Sequence, residues 1–145
     1  MKKLVAIAMS QFGVTEIVGN RHNPIILDYF KKIGHKWVQT DETAWCSAFM
    51  NYVALLAGVE RTGKLNARSW LNVGKTIQNP IQGDVVVFWR EKKSSWKGHV
   101  GIFIGYTHDK KGIYVLGGNQ NNMVNIKRYP TSRLLGVRRL QNTKK

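Results

Sequence analysis

Apolar side chains recur at helical spacing through the first sixty residues, and from Asp84 onward the period shortens to that of strands. "KKLVAIAMSQFGV" sets Leu4, Ile7, Ala8 and Gln11/Phe12 on one stripe and can end at Gly13. In "NPIILDYFKKIG", Asn23 stands where an N-cap is needed, Pro24 at the first helical position and Gly34 just past the end. "TAWCSAFMNYVALLAGV" carries Trp45, Ala48, Phe49, Tyr52, Val53 and Leu56 on one face, with Thr43 as the expected cap and Gly58 as the stop. "NARSWLNVG" predicts a short helix with Ala67, Trp70 and Leu71 turned inward. The strands follow as "DVVVFWR", "HVGIFIGY", "GIYVLGG" and the alternating "MVNIKRY", with "THDKKG" as a turn. Short links require neighbouring strands to pair antiparallel. The expectation is an α+β fold, N-terminal helices packed on a small antiparallel sheet of about four to six strands. Neither a linker nor a repeat interrupts the 145 residues, so one domain over 1–145 is expected, without a separate wall-binding domain.

Charge changes the picture. Against 23 Lys and Arg stand 8 Asp and Glu, a formal +15 that concentrates polyanions at the surface. Nucleic acid, anionic lipid or lipopolysaccharide, and an acidic cell wall are all admissible partners. Basic residues are spread along the chain, and "RYPTSRLLGVRRLQNTKK" is the densest stretch. "MKKLVAIAM" mimics the start of a signal peptide, but its apolar run stops at Ser10 and no small-residue cleavage motif follows, so it reads as helix.

The lone cysteine, Cys46, excludes an intramolecular disulfide. A free cysteine commonly serves as a small buried hydrophobe. In the first turn of a helix, however, unpaired N–H groups and the helix dipole favour a thiolate, and a thiolate nucleophile needs an imidazole in reach. His22, His35 and His108 fall in loops and turns and read as surface or capping residues. His99 opens a buried strand, with Gly98 before it and Gly101 on the same face, which would leave room for a group to approach the ring. A third residue must hold the other imidazole nitrogen. The amides of Asn119 and Gln120 at the end of the next strand are candidates, although "GGNQNN" also reads simply as a polar turn.

A cysteine opening a helix, then "GDVVVF", "GHVGIFIG" and a strand ending in "GGN", resembles the CHAP domain, the cysteine, histidine-dependent amidohydrolase/peptidase. From about Gln11 to Leu140 the chain is similar to single-domain phage and prophage proteins of that papain-like clan, through "NP.I..Y", "DE..WCSAF", "ARSWL..G", "GHVG" and "GGNQ" in this order. The resemblance implies a papain-like fold with Cys46 as nucleophile, His99 as general base and acid, and Asn119 as orienting group, with Gln120 its rival. Many CHAP domains carry a carboxylate where Gly117 stands here, so the orienter must be an amide. The implied substrate is the peptide part of bacterial peptidoglycan, cut as an amidase or endopeptidase cuts it, by a phage endolysin made in the host cytoplasm and acting at the wall. Such a protein is expected to be a monomer, to hold the anionic envelope through its basic surface, and to need neither metal nor cofactor.

Around this core, Glu42, Trp45, Trp96 and Gln120 are candidate substrate contacts: Glu42 toward a stem-peptide ammonium, Trp45 beside the nucleophile, Trp96 in the polar loop before His99. Gln39 is a candidate oxyanion donor, Asp41 complements the helix dipole, and Asp84 is expected to close the turn into its strand. Competing classes fare worse. A nucleic-acid module would fit the charge and five tryptophans, but no recognition helix or aromatic RNA-binding strand is present, so no specific nucleic acid is expected. A zinc hydrolase fails on ligand spacing, and a glycosidase on the lack of a defensible carboxylate pair. A secreted antibacterial effector with the same chemistry remains an alternative.

Overall fold

The computed structural model describes residues 2–17, 22–37 and 44–143. Three α-helices, α1 (Lys2–Ser10), α2 (Pro24–Lys32) and α3 (Cys46–Ala57), precede a six-stranded antiparallel sheet. Its strands are β1 (Lys75–Thr76), β2 (Val85–Trp89), β3 (Gly98–Tyr106), β4 (Gly112–Gln120), β5 (Met123–Pro130) and β6 (Leu134–Arg139). Short 3-10 turns span Ala67–Asn72 and Thr131–Arg133. The α+β expectation holds, and so does the consecutive pairing of β2 to β5. What differs is the return of the chain: β6 pairs with β2 and carries β1 on its outer edge, giving the order β1-β6-β2-β3-β4-β5. The basic C-terminal stretch is thus largely a strand rather than a tail.

Local signals account for the helix limits. Asn23 Oδ1 accepts from Ile25 N–H at 2.9 Å with Pro24 opening α2. Gly58 adopts φ +72 and closes α3. Trp45, not Thr43, is the N-cap of α3 and supplies no side-chain cap. Thr43 itself lies outside the described residues, as do Gln39, Asp41 and Glu42.

The sheet is buried on both faces, which explains the unbroken "VVVF". Val85, Val87, Val100, Ile102 and Leu116 face the helices and meet Phe49, Met50 and Val53 of α3. Val86, Phe88, Phe103, Ile113, Val115 and Val137 form a second core on the opposite face. Among the described residues no helix contributes to that core; the sheet curls over it. Phe88 of β2 and Tyr129 of β5 stack with ring centroids 5.1 Å apart, although three strand spacings in a flat sheet would separate their strands by about 14 Å. Asp84 closes the turn before β2 by accepting from Ile81 N–H at 2.8 Å. Fully buried, it also takes a two-pronged bond from Arg139 Nε and Nη2 at 2.8 and 2.9 Å, tying β6 to the base of β2.

Candidate active site

Cys46 is the first residue of α3, and α3 packs on β3 and β4. Beneath it, Ser47 Oγ donates to Lys64 O at 2.6 Å and accepts from Trp70 Nε1 at 2.9 Å, while Asn51 Oδ1 accepts from Gly63 N–H at 2.7 Å. These fully buried polar groups fix the helix against the segment that follows it. Cys46 is buried, 6% exposed. Burial pushes the thiol up from its usual range, against the pull of the Val100 backbone N–H, the Arg90 charge, and the N–H groups of Ser47 and Cys46. The expected depression by the helix start is therefore present but outweighed by desolvation.

His99 lies on β3, directly opposite Phe88 of β2, on the face away from the helices. Its ring stacks on Tyr129 at 4.7 Å and 15°. Its chain neighbour Val100 offers a backbone N–H to the Cys46 thiol, and its stacking partner Tyr129 is close enough to Cys46 for the two groups to influence each other. His99 Nε2 is 2.9 Å from Gln120 Oε1. The Gln120 amide cannot turn over, because its Nε2 donates to Val115 O, Asn125 O and Asn125 Oδ1 at 3.0, 2.8 and 3.0 Å. Its oxygen must therefore face the ring, so His99 Nε2 carries the proton and Nδ1 presents a lone pair. Burial, above all, drops the His99 pKa to about 4; the Gln120 bond raises it, and the Arg90 and Lys127 charges depress it further.

Asn119, which the resemblance made the orienting group, does not hold the ring; Gln120 does. The reason is a bulge. Gly117 pairs with Asn125 and Gln120 with Met123, so Gly118 and Asn119 together oppose Val124, and Asn119 takes φ +56. The extra residue resets the side-chain alternation and turns Gln120 onto the face that Gly117 and His99 share. Gly117 makes the space, since a Cβ there would lie 2.6 Å from Gln120 Oε1. Asn121 and Asn122, both at positive φ, then close the hairpin into β5.

Further expectations change. Trp45 is 0% exposed, packed at a tilt against Tyr29 with Nε1–H donating to Glu16 Oε2 at 2.8 Å, so it cannot touch a substrate. Gln120, 1% exposed, supports the imidazole instead of meeting substrate. The space over Gly101 is not open to a ligand, because Val115 and the Leu116 carbonyl fill it. Trp96 is 73% exposed and lines a cleft of about 220 Å³ with Cys46, Leu65 and Ala67. A second cleft, about 330 Å³, opens onto His99. Arg90 lines both.

Three residues that sequence reading passed over complete the site. Arg90 stands at the junction of the clefts. Arg68 anchors the loop before His99 by donating from Nε to Lys97 O and from Nη1 to Lys93 O, at 2.9 and 2.8 Å. Tyr129 covers the imidazole. Only Arg68 left a sequence signal, in "ARSWL".

A thiol at a helix start and an imidazole whose Nε2 proton is held by an amide are two groups that acyl transfer by a cysteine would use. The family model described as CHAP domain matches residues 38–119 of the chain. Among curated proteins nothing matches it.

Proposed function

The chain belongs to the CHAP domain family, and on that premise we propose that it hydrolyses an amide bond in the peptide part of bacterial peptidoglycan with Cys46 as nucleophile, as an endolysin of the phage type. The observation that carries this reading is the fixed Gln120 amide, which makes His99 Nδ1 a proton acceptor, next in the chain to Val100, whose backbone N–H reaches the buried Cys46 thiol.

Burial holds the thiol protonated and the imidazole neutral, so the pair rests as thiol and imidazole rather than as an ion pair. As Sγ attacks the scissile carbonyl carbon, its proton moves to His99 Nδ1. The carbonyl oxygen gathers negative charge near the Cys46 N–H at the start of α3. Collapse of this tetrahedral species breaks the C–N bond, and His99 gives its proton to the leaving amine. Water, deprotonated by His99, then attacks the thioester; the acid leaves and the thiol is restored. Gln120 keeps the Nε2 proton in place through the cycle, and Arg90 helps to offset the charge that develops between the two clefts.

A suspension of purified peptidoglycan tests the reading. The wild-type protein clears it and exposes new amino groups, whereas Cys46→Ser and protein alkylated at its only cysteine do neither. Clearing by the alkylated protein would remove Cys46 from the mechanism.

A further inference from the structure

The two clefts differ in chemistry. The cleft at Cys46 is walled by Leu65, Ala67 and Trp96, and its Lys97 is tied to Glu91 at 2.9 Å. The cleft at His99 holds Arg90, Lys127 and Arg133, and among the described residues no acidic one lines it. Two of these cations are held in place. The Arg133 guanidinium lies 4.8 Å over the Trp89 ring, and Lys127 Nζ donates to Asn121 Oδ1 at 3.1 Å while lying 5.6 Å over the Tyr129 ring. Among the described residues none of the three forms a salt bridge. Three like charges converging on one concavity repel one another unless an anion joins them.

Which half of the substrate enters follows from the proton transfer. The group that protonates the leaving amine has to stand on the amine's side of the scissile bond. The cleft reached past His99 therefore receives the amine-bearing half, and the apolar cleft at Cys46 receives the acyl half. Resting on the proposed amide hydrolysis, we infer that the His99 cleft binds a carboxylate of the leaving half through Arg90, Lys127 and Arg133, so that the enzyme selects amides whose leaving peptide is anionic. Guanidinium groups suit this role because they offer paired donors to a carboxylate. Arg90, at the junction of the clefts, meets the carboxylate nearest the cut, with Lys127 and Arg133 further along the cleft.

The test uses soluble stem-peptide fragments in pairs, one with a free carboxylate on the leaving side and the other with that carboxylate converted to the carboxamide. Wild type is expected to favour the carboxylate by about tenfold to a hundredfold in kcat/KM, the loss typical of one charge-assisted contact. In Lys127→Gln/Arg133→Gln that ratio falls toward one. Equal kcat/KM for the two fragments in the wild type overturns the inference while leaving amide hydrolysis intact, whereas failure to cut either fragment or the intact wall overturns the hydrolysis itself. A full preference retained in the folded double variant also overturns it. The comparison of fragments in the wild type needs no variant to fold.

Discussion

His99 and Gln120 are joined at 2.9 Å between Nε2 and Oε1, which leaves Nδ1 as the acceptor nitrogen of the ring. The bond is a neutral amide's, so it sets the tautomer without the charge that would stabilise an imidazolium. Gln120→Ala is expected to lower kcat by about a hundredfold, the cost of a misoriented catalytic group. Asn119→Gly, which keeps the left-handed backbone of the bulge, is expected to cost far less. Steady-state kinetics of the two variants decide between the residues, and a larger loss from Asn119→Gly would return the orienting role to Asn119.

The pH profile should carry the mark of the buried imidazole. With the His99 pKa lowered to about 4, the base stays available through the neutral range and kcat/KM falls only as pH drops through about 4. In Gln120→Glu the carboxylate stabilises the imidazolium, so the acid limb moves to higher pH. Stability follows the same group. The unfolded chain protonates its histidine near the ordinary 6.5 while the folded one resists until about 4. Folding stability therefore declines as pH falls through that window and levels off below it. Urea titrations at both ends of the window, with His99→Asn as the comparison, measure the contribution.

Two adjacent glycines separate activity from stability. Gly117→Ala puts a methyl 2.6 Å from Gln120 Oε1, so it displaces the amide and lowers kcat. Gly118→Ala drives its methyl against Phe49 Cβ and the Trp45 ring at 2.7 and 2.8 Å, and overpacking of this kind destabilises by about 1–3 kcal/mol. Thermal melts and kinetics on both variants should show opposite patterns.

The +15 charge predicts a salt effect on whole envelopes. Activity on intact envelopes should fall steeply with added salt, and more than activity on soluble fragments. Charge reversal belongs at exposed Lys2, Lys3, Lys31 and Lys32, away from the clefts. Reversal along 133–145 would break the buried Asp84–Arg139 pair as well. Equal losses on both substrates would argue against attachment by charge.

Sequence periodicity reached the helices and the strands β2 to β5, because each is a local pattern of apolar side chains. It missed β6, whose alternation is interrupted by Gly136 and by the paired Arg138 and Arg139, and whose partner β2 lies far back in the chain. Cys46 and His99 were legible from a helix start and a strand start. Gln120 was not separable from Asn119, since strict alternation puts Asn119 with Gly117 and only the bulge reverses it. Arg90 depends on how the loop before His99 folds back, which no short-range pattern encodes, and Arg68, though it stands in "ARSWL", reveals its hold on that loop only in the fold.

Mass spectrometry of the fragments released from purified peptidoglycan, wild type beside Cys46→Ala, decides whether Cys46 cuts an amide bond of the wall. Wild type is expected to yield fragments with a new amine and a new carboxyl at one type of amide bond, and the variant none. The same fragments from Cys46→Ala, or cleavage by wild type at a glycosidic bond, would contradict that expectation.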